Sequence, residues 1–250
     1  LDVYGANIRS DANGNNGLEI LGSQGFYLVN CTGFDNDSHA WALGPTGSQD
    51  NENMFFVNCV GDTSGDSNWN ITELFDAVFV NCWGSTQQSV GVNTTAAGFN
   101  LEGVDVKSVR FVGSSAHFNN GDGFQLTNSG GLPTDITFDN CQAGTTSNGS
   151  NGNGQGGAGY CYDLGGASNI RINGGIVQGN ATGTVTGHTA GSNVRIEGVI
   201  GITTDFYPTG QIFSIGGDWA ATHSAAVLTV GTGDLRVTNA GTNAASVATL

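Results

Sequence analysis

The sequence predicts an all-β solenoid, a stack of parallel β-helix coils, from three observations. A six-residue phrase recurs along the chain, two of its columns are apolar in every copy, and a third column admits only Asn and Gly. The clearest copies run Phe26-Tyr27-Leu28-Val29-Asn30-Cys31, Met54-Phe55-Phe56-Val57-Asn58-Cys59 and Ala77-Val78-Phe79-Val80-Asn81-Cys82. Looser copies begin at Val109, Ile136, Ile170 and Val194, so successive starts lie 23 to 34 residues apart.

Each column has a physical reading. The first (Phe26, Met54, Ala77, Val109, Ile136, Ile170, Val194) and the third (Leu28, Phe56, Phe79, Phe111, Phe138, Ile172, Ile196) are apolar and two apart, which is strand alternation with one buried face. The fifth is Asn30, Asn58, Asn81, Gly113, Asn140, Gly174 and Gly198, the two residue types that most readily take positive φ, so a left-handed bend follows each strand. The sixth returns mostly to small side chains, with Cys31, Cys59, Cys82 and Cys141 in one file. Short strands, tight bends and no helical period describe one coil of a parallel β-helix.

A second strand per coil is expected upstream of the phrase, at Gly17–Ile20, Ala40–Leu43, Gly98–Leu101, Gly123–Leu126 and Gly159–Tyr162, with Trp69–Thr72 the best match in the third coil. Residues 1–25 read as an incomplete first coil with Val3, Ile8, Leu18 and Ile20 as core candidates. Residues 1–202 form the solenoid. Beyond them Asp205–Pro208 breaks the pattern, and 203–250 reads as a β-rich cap or association segment, since a solenoid's last coil must be covered against edge pairing.

Through the Asn ladder and phrases such as Asn119-Asn120-Gly121-Asp122-Gly123-Phe124, residues 1–202 resemble the pectate-lyase-like right-handed β-helix proteins. That resemblance implies a right-handed coil. It implies no single activity, because the fold carries lyases, hydrolases, epimerases and inert spikes alike. Residues 233–247 are similar to short β-rich segments of bacteriophage tail-fibre and tail-spike proteins. This resemblance implies a virion spike or fibre, on a virion surface or extracellular, whose chains associate side by side as a homotrimer and whose target is a bacterial surface polysaccharide, with depolymerase activity as an open question. Two other readings stay open: a non-enzymatic stalk or adhesin module, and a secreted polysaccharide lyase or epimerase.

Composition narrows the partners. With 6 Lys+Arg against 21 Asp+Glu the net charge is −15, which repels nucleic acid and anionic membrane surfaces. No stretch has the apolar length of a membrane span. The chain starts at Leu1 in strand-like sequence and is expected to be a fragment or processed product of something longer. The cysteine file sits where adjacent coils, about 4.8 Å apart, bring thiols within bridging reach. An unbridged thiol ladder filling a narrow corner is the preferred reading, and the spacings fit no zinc site or other cofactor. Gly152-x-Gly154-x-x-Gly157 matches a dinucleotide fingerprint in form only, because no helix follows it.

Four carboxylates recur after the bends of adjacent coils, Asp35 and Asp37 after Cys31 and Asp62 and Asp66 after Cys59. Paired carboxylates are what glycoside hydrolysis needs, and mutual repulsion would raise at least one pKa toward a general acid; the alternatives are a calcium site or a solvated Asp-rich turn. Trp69 and Trp83 are candidate sugar platforms. Trp83 aligns with Thr32, Val60, Ser115 and Gln142 and should face outward, whereas Trp41 aligns with Leu18, Phe99 and Phe124 in the core. The outward second column, Tyr27, Phe55, Val78, Arg110, Thr137, Arg171 and Arg195, is apolar at one end and cationic at the other. Its Arg residues, Arg110 among them, either pair with Asp139 and Glu197 or meet an anionic sugar, and its apolar end is what a neighbouring subunit would cover.

Overall fold

The structure, a computed structural model, describes residues 3–47, 49–87, 93–144, 153, 159–178, 183–186, 193–197, 199, 202–203 and 219–220. Three parallel sheets run the length of the stack, with eight, seven and seven strands. The recurring phrase forms the first sheet, from Val3–Ala6 through Gln24–Val29, Glu52–Val57, Leu74–Val80, Val106–Val112, Thr134–Asp139 and Ile170–Asn173 to Val194–Glu197. Its third column is one buried file in which Leu28, Phe56, Phe79, Phe111, Phe138, Ile172 and Ile196 are consecutive register partners. The fifth column is left-handed as its composition requires, with φ between 50° and 63° at Asn30, Asn58, Asn81, Gly113, Asn140 and Gly174; Gly198 lies outside the described residues.

The expected second strand per coil is the third sheet, running from Leu18–Leu21 and Trp41–Gly44 through Trp69–Ile71, Phe99–Glu102, Phe124–Thr127 and Tyr160–Asp163 to Gly183–Thr186. Its inward file is Trp41, Trp69, Phe99, Phe124 and Tyr162, stacked ring on ring at 4.6 to 5.5 Å and edge-on to the Phe file of the first sheet. Tyr162, two residues later than the alignment of Tyr160 suggests, takes the aromatic place in its coil.

Between these lies a sheet the sequence did not announce: Arg9–Asp11, Thr32–Phe34, Val60–Ser64, Trp83–Gln87, Ser115–His117, Gln142–Gly144 and Ile176–Gln178. Its inward file is small, with Gly33, Gly61, Gly84, Ala116 and Ala143, because the aromatic file of the third sheet occupies the space. A Cβ on Gly61 would stand 3.0 Å from Trp69 Nε1 and 3.1 Å from Trp41 Cδ1. The indole N–H groups are satisfied on this sheet's backbone, Trp41 to Val60 O and Trp69 to Trp83 O, both at 2.9 Å.

The first coil is complete rather than partial, since Val3–Ala6, Arg9–Asp11 and Leu18–Leu21 all pair with the next coil. Of its expected core residues Ile20 is buried and Leu18 partly so, but Val3 and Ile8 are each 39% exposed, because no described rung lies beneath them. At the far end Ile202–Thr203 pairs with Trp219–Ala220. The remaining expectations for 203–250, and the Gly152-x-Gly154-x-x-Gly157 segment, fall outside the described residues.

All five cysteines are free thiols and buried. In the ladder each Sγ points at a carbonyl of the coil before it, Cys59 at Leu28 O (3.6 Å), Cys82 at Phe56 O (3.4 Å) and Cys141 at Phe111 O (3.6 Å). Burial pushes the Cys82 thiol up and that of Cys141 up to about 12, so both behave as small hydrophobes rather than nucleophiles.

Coil length varies in a structured way. Six residues always separate the first column from its matching position in the second sheet, as from Phe26 to Thr32, Met54 to Val60 and Ala77 to Trp83. From the second sheet to the third the distance is nine residues in most coils (Thr32 to Trp41, Val60 to Trp69, Ser115 to Phe124). It is sixteen from Trp83 to Phe99 and twenty from Gln142 to Tyr162.

Candidate functional site

The structure does not bring the sequence-predicted site residues together in one place. Trp69 is 0% exposed and belongs to the aromatic core, so it is not a sugar platform; it alternates with Ile71 on the inward face of its strand. Arg110 projects from the first sheet, where its Nε bonds Asp139 Oδ2 at 2.6 Å. Trp83 and Asp62 stand together on the outer face of the second sheet, and there the carboxylate and aromatic signals converge.

Two outward files make up that face. One is Thr32, Val60, Trp83, Ser115 and Gln142, matching the alignment of the sequence. The other is Phe34, Asp62, Ser85 and His117, in consecutive register. Trp83 is 44% exposed and meets the His117 ring edge-on, centroids 5.9 Å apart at 86°. His117 Nδ1 lies 2.6 Å from Gly144 O. A carbonyl can only accept, so Nδ1 carries the proton and Nε2 is left as the basic atom. Burial lowers the His117 pKa, which keeps the ring neutral.

Asp62 is half-buried, and desolvation raises its pKa against the opposing hydrogen bonds of Thr63 and Thr86. This corrects the expected cause, since burial and not repulsion among four carboxylates drives the rise. Ser85, the residue between Asp62 and His117 in the file, is buried and shares a 3.0 Å hydrogen bond with Thr86 Oγ1. It separates the Asp62 rung from the His117 rung, so the backbones of those two residues lie about 9–10 Å apart at the usual strand spacing.

The other three carboxylates do not share the file of Asp62 and His117. Asp35 follows the strand Thr32–Phe34 in a left-handed bend (φ 54°), its N–H bonded to Asp62 O at 3.2 Å. Thr63, Thr86 and Phe118 repeat that bend in the coils above it, so the strained backbone is a corner of the solenoid and no special property of the site. Asp37 and Asp66 lie in the next turn, bonded through their backbone N–H groups to Asn13 O and Ser38 O. Among the described residues no three His, Cys, Asp or Glu side chains are placed to hold a metal ion.

Sequence reasoning counts His117, with His39, Lys107 and Arg110, among the groups available to a lyase but has no spacing that singles it out, and it passes over Ser85, because both sit on the sheet with the silent glycine file. It also passed over Asp122, a 7% exposed carboxylate whose Oδ1 accepts the Tyr160 N–H at 2.6 Å and whose Oδ2 accepts from Gln125 Nε2 at 3.1 Å. Burial, then the charge of Asp163, raises its pKa to about 6. Its partner Tyr160 is 38 residues away, so no local pattern marks it.

No protein-family model matches the sequence, and neither a curated protein nor a solved structure matches it.

Proposed function

We propose that this chain is a glycan-recognition module of the spike or fibre type, on a virion surface or extracellular, that binds a bacterial surface polysaccharide across the outer face of the second sheet. The observation that carries this reading is Trp83, an exposed indole that meets the His117 ring edge-on, with Asp62 on the same outer face two positions along the neighbouring strand. An aromatic platform flanked by hydrogen-bonding groups is what a sugar ring needs. The two longest corner segments also leave the strands Trp83–Gln87 and Gln142–Gly144, on either side of Ser115–His117, and long connections concentrate where a scaffold does its binding.

A hydrolytic reading is favoured by Asp62. With His117 Nε2 taking a proton from water, water oxygen bonds the anomeric carbon, the glycosidic C–O bond breaks, and a protonated Asp62 gives its proton to the leaving oxygen. In a panel of capsular and lipopolysaccharide glycans, one should be retained, and Trp83→Ala should weaken it at least about tenfold with the melting temperature kept. Asp62→Asn should keep binding and abolish new reducing ends. Retention of no glycan at all leaves the stalk reading, and unsaturated ends would instead indicate a lyase.

We also propose side-by-side association into a homotrimer. On the first sheet Tyr4, Tyr27 and Phe55 stack face to face at 4.9 and 5.0 Å, with Tyr4 73% and Phe55 37% exposed. Tyr27 has both ring faces stacked on its neighbours, and the exposed apolar patch suits protein side chains from a neighbouring copy. Light scattering of the protein should give three chain masses, and Phe55→Glu should lower it; a monomer mass removes the proposal.

A further inference from the structure

The outer face of the first sheet changes character at its other end. A groove of about 400 Å³ opens there, lined chiefly by Asp135, Thr137, Asn169, Arg171, Asn193 and Arg195. Thr137, Arg171 and Arg195 are register partners on three successive rungs, so the two guanidinium-bearing side chains rise from positions about 4.8 Å apart. Beside them Asn193 Nδ2 donates to Asn169 Oδ1 at 2.9 Å, which leaves the Asn169 amide N–H groups as donors and the Asn193 carbonyl as an acceptor.

Two of the four described arginines are neutralised by an acid two residues on. Arg9 pairs with Asp11 at 2.7 Å and Arg195 with Glu197 at 2.5 Å. Arg110 reaches the same end across one rung, to Asp139. Arg171 breaks the pattern. The residue two beyond it is Asn173, whose amide is given to Asp139 Oδ1 at 2.8 Å, and among the described residues Arg171 makes no ion pair. An exposed guanidinium with its five donors uncommitted thus stands in a groove, on a chain of net charge −15 that would neutralise it cheaply with one more acid.

We propose that this groove binds a hydroxylated carboxylate, an acidic sugar residue, with the Arg171 fork on the carboxylate and the Thr137, Asn169 and Asn193 side chains on the hydroxyls. Asp135 selects within the oxyanions. Its carboxylate accepts from ligand hydroxyls and repels a dianionic phosphate, so a monoanion carrying hydroxyl donors fits both signs of charge in the groove. The proposal extends the glycan reading to a second site, on a different sheet from Trp83, and names the charge of the sugar.

The test measures binding of oligosaccharides that alternate hexuronate with N-acetylhexosamine, the same oligosaccharides with their carboxyls reduced to alcohols, and inorganic phosphate. The wild-type protein should bind the first, and carboxyl reduction should cost about ten- to hundredfold, the scale of a charge-assisted bidentate contact. Arg171→Ala should cost the same, and Arg171→Lys should recover only part of it because the fork is lost. Trp83→Ala should leave the carboxyl dependence intact even where it weakens overall binding. The proposal is overturned by failure of the wild-type protein to bind the acidic oligosaccharide, by equal affinity for the reduced form, by an Arg171→Ala variant that binds unchanged, or by displacement with phosphate at equal concentration.

Discussion

Trp69→Ala should lower the unfolding free energy by about 3–5 kcal/mol, the cost of emptying a large aromatic site in a core that cannot close. Trp69 lies 4.6 Å from Trp41 and 5.5 Å from Phe99 along its stack, with Phe56 and Phe79 edge-on at 5.6 and 5.4 Å. Removing it uncovers four rings at once and leaves Trp83 O without the indole N–H. The wall opposite is Gly61, which has no side chain to move into the space. Urea unfolding followed by circular dichroism measures the loss, with Trp83→Ala as the control expected to cost less than about 1 kcal/mol at its exposed site. If the two variants unfold alike, the packing described for the third sheet is wrong.

Asp122→Asn should do the reverse and stabilise the protein at neutral pH, by about 2–3 kcal/mol. The folded-state pKa of Asp122 is raised from 3.8 to about 6 by burial, with the charge of Asp163 adding to it. Between those values the folded chain holds a proton that the unfolded chain has released. Stability therefore falls as pH rises through that window, and above about 6 the full penalty of a buried charge is present. An amide carries no such penalty. Its oxygen still accepts the Tyr160 N–H, and Gln125 can turn its own oxygen toward the new NH2. Melting curves of both proteins at pH 4 and pH 7 give the comparison: near equality at pH 4 and a more stable variant at pH 7. Asp62, Asp163 and Glu73 are also raised, chiefly by burial, so the variant keeps part of the wild-type slope. A variant destabilised at pH 7 would mean that the ionised carboxylate is needed to close its turn.

The first and third sheets were legible because their inward positions alternate large apolar residues, which is the signal that strand periodicity gives. The second sheet was not, because its core positions hold glycine and alanine: at Gly33, Gly61 and Gly84 the core is filled from across the coil by Ala40, Trp41, Trp69 and Phe99. That gap in the reading moved the site. Trp69 looked available because it neighbours Asp62 and Asp66 in sequence, although its alternation with Ile71 places it inside. Trp83 was placed outward by a mostly polar file and is found there, while His117 became visible only when Ser115–His117 was recognised as the strand beside Trp83–Gln87. Asp122 owes its pKa to burial under a neighbouring coil, a property no local stretch of sequence contains.

The unequal corners divide the chain into places that can accept added sequence and a place that cannot. One extra residue in the six-residue link from the first sheet to the second would turn every side chain after it to the opposite face, sending the Gly61 file outward and the Trp83 file into the aromatic core. The link from the second sheet to the third already runs to nine, sixteen or twenty residues without disturbing the register on either side. Sequence inserted at that corner can therefore change coil by coil what the stack displays, while the framework beneath tolerates no change of length in its tightest link.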